Sequence, residues 1–276
     1  MPDAAVMASV APPNRPAVVS RRHQPLDVLS GVVEYDRFEL HAQLIVGICA
    51  DGIAGYELLL RLRDDGGELV SPCGFIYGAE RHGLMGPVDR WVLGRAIELL
   101  HEAAETGHEI SPFVSPSGQT MNDRALPRHL GYRLDRQPIP DDRLVVEVTE
   151  TAAIVNIERA SELARELRTL GCRFALDAFG AGFASFYYRK HLDFGYLKID
   201  GDFITNLTSN RTDRLVVQPG VDIAQRRVTR TVAEQIGDQD TIELLHDFGV
   251  HHGQGYHLSK PDAVTATLGR RSARQP

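Results

Sequence analysis

Between residues 144 and 254 the chain repeats one arrangement: a short apolar run closes on a charged or amide side chain, and an amphipathic stretch follows. The runs are LVVEV (144 to 148), RFALD (173 to 177), YLKID (196 to 200) and the segment around RTVAE (230 to 234). Each is short and rich in β-branched or bulky residues, which predicts strands. Their polar ends, Glu147, Asp177, Lys198, Glu234 and then Gln254, are separated by 30, 21, 36 and 20 residues. A closed barrel of eight strand–helix units in about 250 residues allots roughly 31 to each unit, so these intervals suit successive units. The C-terminal ends of such strands converge on one mouth, where acids far apart in sequence become neighbours. The expected fold is therefore α/β, a TIM-like (β/α)8 barrel, with a mouth whose carboxylates and lysine suit a hard divalent cation and an anionic ligand.

The stretches between the runs carry helix signals. NIERASELARELRTLG puts Ile157, Ala160, Leu163, Ala164, Leu167 and Leu170 on one face, and Gly171 stands where a helix would stop. TIELLHDFG follows Asp240, with Glu243 three residues later, an N-terminal signal, and Gly249 is its stop. DRWVLGRAIELLHEAAETG is a third helix of this kind. Strand-then-helix units predict a parallel sheet covered by helices.

At 276 residues and 43% hydrophobic, the chain is large enough for one such barrel with tails. We expect a disordered arm over 1–27, rich in Pro, Ala and Arg, the barrel over 28–266 and a loose tail over 267–276. A net charge of −7 without any Lys/Arg run argues against binding DNA or RNA. No stretch approaches the roughly 20 apolar residues needed to span a bilayer, and the N-terminus has an acid at Asp3 and prolines where a signal peptide would be apolar. Cys49, Cys73 and Cys172 are odd in number and far apart, which suits neither a disulfide framework nor zinc and fits a cytoplasmic protein.

Each feature has a plainer reading. A single acid at a strand end is more often a helix cap or ion-pair partner than a metal ligand. Gly180 and Gly182 can make a tight turn, Lys198 can be an exposed lysine, and the His251–His252 pair, with no zinc-like spacing around it, is expected to face solvent. These patterns support an acidic mouth without naming a substrate.

Several further segments, in order, carry a resemblance: YELLLRL (56 to 62), PCGFIYGAERHGLMGPVDRWVL (72 to 93), VEVTET (146 to 151), LDAFGAGFASF (176 to 186), YLKIDGDFI (196 to 204), TVAEQ (231 to 235) and GQGYHLSKP (253 to 261). The chain resembles the EAL-domain family of cyclic di-GMP phosphodiesterases from about Arg37 to Pro261. The resemblance implies a TIM-like barrel with an altered first strand, and cleavage of one phosphodiester of cyclic di-GMP to pGpG by two Mg²⁺ or Mn²⁺ ions. It assigns Glu57, Glu147 and Asp177 to metal, Lys198 and Glu234 to catalysis, Arg61 and Gln254 to substrate, and Asp200 to support of the site.

The chain departs from the family pattern at two ligand positions. Where the family has adjacent aspartates before Phe-Gly, Asp177 is followed by Ala178; where it has a metal-binding asparagine, PFVSPSG puts Ser115, or Phe113 in a shifted alignment. Asn122 belongs to the next segment. A serine hydroxyl has a shorter reach than an amide, and an alanine offers no oxygen to an ion that demands a nearly complete octahedral shell. Gln235 replaces a usual glycine after Glu234, and Pro219 interrupts what should be a helix; both count against an intact site. The expected function is cyclic di-GMP binding with hydrolysis weak or lost. An active phosphodiesterase is the alternative, and a protein-interaction module that no longer binds the nucleotide is a third reading. The resemblance also implies a homodimer paired near the loop after Asp177, and the third reading implies a protein partner.

Overall fold

The computed structural model describes residues 37–64, 66–70, 72–180 and 192–269. Its strands are β1 (Phe38–Gly47), β2 (Ile53–Arg63), β3 (Leu69–Val70), β4 (Pro112–Val114), β5 (Val145–Thr149), β6 (Arg173–Phe179), β7 (Tyr196–Ile199), β8 (Arg230–Ala233), β9 (His252–Gly253) and β10 (Asp262–Ala263). The helices are α1 (Pro72–Arg81), α2 (Met85–Glu105), α3 (Gly118–Met121), α4 (Leu126–Arg136), α5 (Glu150–Val155), α6 (Ile157–Thr169), α7 (Gly201–Ile204), α8 (Arg211–Arg226), α9 (Gln239–Asp247) and α10 (Val264–Gly269).

Eight strands close into a barrel in the order β1, β2, β4, β5, β6, β7, β8, β9, with β9 returning to β1. β1 runs antiparallel to both neighbours, while every other neighbouring pair in the ring is parallel. The chain dictates this reversal: only residues 48–52 separate β1 from β2, and a parallel crossover needs about a dozen. The TIM-like barrel with an altered first strand is thus present. β3 and β10 lie outside the ring, added to β2 and β1.

Period-two alternation sorts each strand into an outer and an inner face. Val146, Val148, Phe174, Leu176 and Leu197 face outward into the main core shared with α2, α4 and α6. Ile45, Phe113, Val145, Ala175, Tyr196 and Val232 face inward and form the barrel floor. Phe113 and Tyr196 meet there edge to face, with ring centroids 4.9 Å apart. Gly55 keeps this floor closed, since a Cβ on it would collide with the Phe113 ring. Two residues further along each strand the inward position becomes polar: Glu147 follows Val145, Asp177 follows Ala175, Lys198 follows Tyr196 and Glu234 follows Val232. The sequence pattern of apolar runs with polar ends is this layering, floor below and mouth above.

Helix α6 is the one expected. Ala160, Leu163, Ala164 and Leu167 are buried, Asn156 caps the start by accepting from Arg159 N, and Gly171 ends it at φ 72°. Helix α9 corrects the expected cap: Asp238, not Asp240, accepts from Thr241 N at 2.8 Å, because its extended backbone places the carboxylate over the first turn. Pro219 also does not break its helix, since α8 runs unbroken from Arg211 to Arg226. The carbonyl it releases is that of Leu215, whose side chain is 67% exposed and so lies beside water, while Val217, Gly220, Val221 and Ala224 hold the other face. Gly220 permits the close approach, because a Cβ there would come within 2.7 Å of the Phe179 ring.

The histidine pair is the third correction. His251 Nδ1 accepts from Thr231 N at 3.1 Å, and the His252 ring lies 6.3 Å from that of Tyr196 with both nitrogens buried and without hydrogen-bond partners. The alternation that carries Val232 inward carries His252 with it, as the two are register partners. Burial, reinforced by Arg230 and His251, lowers the pKa of His252 to about 4. The folded protein then binds fewer protons than the unfolded chain between about pH 4 and 6.5, so stability is full above 6.5 and falls on acidification through that window. His252→Phe is expected to flatten this fall, measured as the urea midpoint at pH 7.5 and pH 5. An unchanged slope would mean that His252 is not the group responsible.

The expected arm over 1–27 lies outside the described residues, and of the expected tail only 267–269 are described, as the end of α10. Among the described residues no helix is long and apolar enough to cross a membrane.

Candidate active site

The mouth layer converges on one ammonium. Lys198 Nζ lies 2.8 Å from Glu234 Oε1, 3.0 Å from Glu147 Oε1, 3.3 Å from Glu57 Oε2 and 3.6 Å from Asp177 Oδ1. Lys198 and Glu147 are wholly buried, and the other three acids are 16 to 17% exposed. The plainer reading of an exposed lysine is therefore excluded. Residues spread over five strands or strand ends meet because each stands at an inward position of the ring.

Charge is crowded here. Burial works against a charged Lys198, yet Asp177, Glu147, Glu234 and Glu57 together outweigh it and hold its pKa well above that of an ordinary lysine. Burial raises Glu147 well above the usual carboxylate range against the opposing pull of Lys198, and it raises Glu234 to about 8 in the same way. One ammonium cannot neutralise four carboxylates, so the mouth holds an excess of acid that favours a further cation. Glu147 states this most directly: neither of its oxygens has a well-directed hydrogen bond, although Oε1 is close to Nζ.

The remaining expected residues stand around this cluster. Gln254 donates from Nε2 to Glu57 Oε2. Arg61, two inward positions beyond Glu57 on β2, is half-buried; burial lowers its pKa, while Tyr256 and Glu57 act in the other direction. Asp200 is not among the carboxylates on Lys198: its Oδ1 accepts from Asp202 N at 2.9 Å and caps α7. Burial raises its pKa, and Asp177 adds to that rise. Ser115 follows β4 by one residue and is exposed. Ala178 has φ 53° at an irregularity between β6 and β7, and its N–H donates to Asp177 Oδ1 at 2.8 Å.

Comparison with known proteins adds a decisive observation: residues 27–261 match the EAL domain. The chain belongs to the EAL domain family. The cyclic di-GMP phosphodiesterase PdeB of Shewanella oneidensis is 32% identical over 239 residues, which cover 86% of this chain and 28% of that protein. PdeF of Escherichia coli, also a cyclic di-GMP phosphodiesterase, is 32% identical over 242 residues, covering 87% of this chain and 32% of its own. The chain thus spans about a third or less of these curated relatives. Among solved structures, the PaMucR phosphodiesterase in complex with c-di-GMP superposes with a TM-score of 0.83 at 28% identity, covering 89% of this chain and all of the other. The FimX EAL domain from Pseudomonas aeruginosa bound to c-di-GMP gives a TM-score of 0.80 at 28% identity, covering 87% and 97%.

The donor set of this EAL domain fits a divalent cation. Glu147 supplies buried oxygens that lack hydrogen bonds, and Glu57 and Asp177 stand beside it across the same ammonium. Among the described residues no three His, Cys, Asp or Glu side chains are already closed on a common point, because these acids are gathered on Lys198 instead.

Gln235 does not displace Glu234, which reaches Lys198. The cost of the substitution lies in the backbone: Gln235 has φ 53°, where glycine is at ease and other residues are strained. Its side chain lies over Gly201, so that a Cβ on Gly201 would collide with Gln235 Cγ and Cδ. Gly201→Ala is therefore expected to destabilise by about 1–3 kcal/mol through overpacking, and the loss should vanish in a Gln235→Gly background. Urea unfolding of the two single variants and the double variant checks this; equal losses in both backgrounds would exclude the contact as the cause.

Two polar residues near the mouth escaped the sequence reading. Tyr256, 56% exposed, follows Gln254 and is close enough to act on Arg61. Gln43 is buried on β1 opposite Glu57. The signal for Gln43 was an amide inside the alternating FELHAQLIVG run, but nothing local says which face of an isolated strand meets the mouth.

Proposed function

We propose that this EAL domain binds cyclic di-GMP at its mouth with the help of Mg²⁺ or Mn²⁺, and that hydrolysis to pGpG is weak or lost. The observation that carries the reading is the crowd of four carboxylates on one buried ammonium, next to Ala178, which has a methyl group where the family resemblance implies an aspartate. Glu57, Glu147 and Asp177 would hold the cation, with Ser115 at a weakened ligand position. Arg61 and Gln254 would receive the nucleotide, and Asp200 would support the end of β7. A bound divalent ion supplies charge neutralisation at the phosphate and an acidified water. Lys198 would hold positive charge beside the reacting phosphate, and Glu234, with its pKa raised to about 8, would accept a proton from water near neutral pH.

An active phosphodiesterase is the second reading, favoured by the intact gathering of Glu57, Glu147, Asp177, Glu234 and Lys198. Purified protein with Mn²⁺ and cyclic di-GMP separates the readings: binding by calorimetry without pGpG on chromatography is expected, robust turnover overturns the impaired reading, and no binding at all leaves the interaction module. Mn²⁺ affinity should also rise with pH and with release of protons, because burial favours the protonated form of Glu147 and a ligand must shed its proton. A pH-independent affinity would remove Glu147 from the cation site. The proposed homodimer rests on the loop after Asp177, of which 181–191 lie outside the described residues.

A further inference from the structure

We propose that Asp89 is a positioning residue for the mouth: from helix α2, outside the site itself, it anchors the turn after β4 and so fixes where Ser115 stands. The inference rests on the cation-binding reading of the mouth. Asp89 is 4% exposed, and its Oδ2 accepts three bonds from that turn: from Ser117 N at 3.0 Å, Ser117 Oγ at 2.7 Å and Thr120 Oγ1 at 2.5 Å. Ser117 Oγ in turn accepts from Thr120 N at 3.3 Å and caps α3. Burial raises the pKa of Asp89 against the pull of Thr120 and Ser117. A carboxyl group is costly at such a position, and three donors from one turn offset that cost.

Stiffness ties Ser117 to Ser115. Only Pro116 stands between them; its ring fixes its own φ and confines the preceding Ser115 to extended backbone. On the other side Val114 is held in register with Val146 of β5. Ser115 is thus clamped between a strand residue and an anchored turn, at the position that continues the inward alternation of Phe113. Helix α2 is a firm base for this clamp, because Val88, Val92 and Leu93 bury it in the core on either side of Asp89. A serine hydroxyl has a short reach and Mg²⁺ demands nearly ideal geometry, so small movements of this backbone decide whether the two meet. A plain capping role for Asp89 would stabilise α3 and leave metal affinity untouched, whereas a positioning role moves the affinity.

Mn²⁺ affinity of the folded protein, measured by calorimetry, separates these roles. Asp89→Ala is expected to weaken it about tenfold, the lower end for an outer partner of a metal ligand. Asp89→Asn, which keeps an oxygen for the three donors, should bind as the wild type does. In a Ser115→Ala background Asp89→Ala should cost nothing further, since its effect runs through Ser115. Unchanged affinity in Asp89→Ala overturns the proposal, as does a loss that persists without the Ser115 hydroxyl or one that Asp89→Asn shares. If Asp89→Ala does not fold, Ser117→Ala with Thr120→Val removes both hydroxyl donors and takes its place in the cycle. If the wild-type protein binds no Mn²⁺, the cation reading fails by itself. Hydrogen exchange over 113–120 then decides: faster exchange in Asp89→Ala, restored in Asp89→Asn, upholds the anchoring of the turn, and exchange unchanged by Asp89→Ala overturns it.

Discussion

Ser115→Asn combined with Ala178→Asp is expected to raise pGpG formation by at least the roughly 10- to 100-fold that even an outer-shell partner of a metal is worth. The two changes act at different proposed ligand positions. Asparagine at 115 restores an amide oxygen at the end of β4, on the inward alternation that carries Phe113. Aspartate at 178 restores a carboxylate next to Asp177, and the backbone there already suits it. Ala178 sits at φ 53°, a region that costs alanine about 1 kcal/mol and that Asp visits more readily. Ala178→Asp alone should therefore leave stability unchanged or slightly higher, although it adds an acid to a crowded mouth; urea unfolding in Mn²⁺ checks this. Turnover unchanged in the double variant would exclude Ser115 and Ala178 as the cause of weak hydrolysis.

Lys198→Met should destabilise the metal-free protein by about 3–5 kcal/mol, the range for removing one partner of a buried ion pair. Four carboxylates share this ammonium, one of them wholly buried, so the methionine strands more charge than a single pair would. Two effects limit the loss. Glu147 and Glu234, already pushed up by burial, can take up protons, and added Mn²⁺ at 100 times its Kd should return about 2.7 kcal/mol. The expected signature is a low urea midpoint at pH 8 without metal that recovers with Mn²⁺ or on mild acidification. A variant as stable as the wild type without metal would mean that the acids are solvated individually and that their convergence on Lys198 carries no energetic weight.

Much of the barrel was legible in one dimension. Glu147, Asp177, Lys198 and Glu234 were marked by the break each makes in an apolar run, and strand alternation follows from covalent geometry, so their common inward face could be inferred. Local signals were weaker at helix starts. Asp240 read as the cap, and only the backbone direction gives that role to Asp238. Pro219 read as a break because sequence shows the lost N–H but not the exposed side of the helix that tolerates it. His251 and His252 read as a solvent pair because a strand as short as β9 leaves too few residues for a pattern.

The run of polar strand ends and the separation of the units belong to the chain as written, because propensity and period act between residues near in sequence. Closure of the ring belongs to the folded molecule. It set Lys198 among four acids drawn from distant strands, raised Glu147 and Glu234 by burial, and linked Ser259 through Gln43 and Gln254 to Glu57. Burial and hydrogen-bond polarity depend on neighbours that sequence spacing does not contain, so these properties exist only once β9 meets β1 and the barrel shuts.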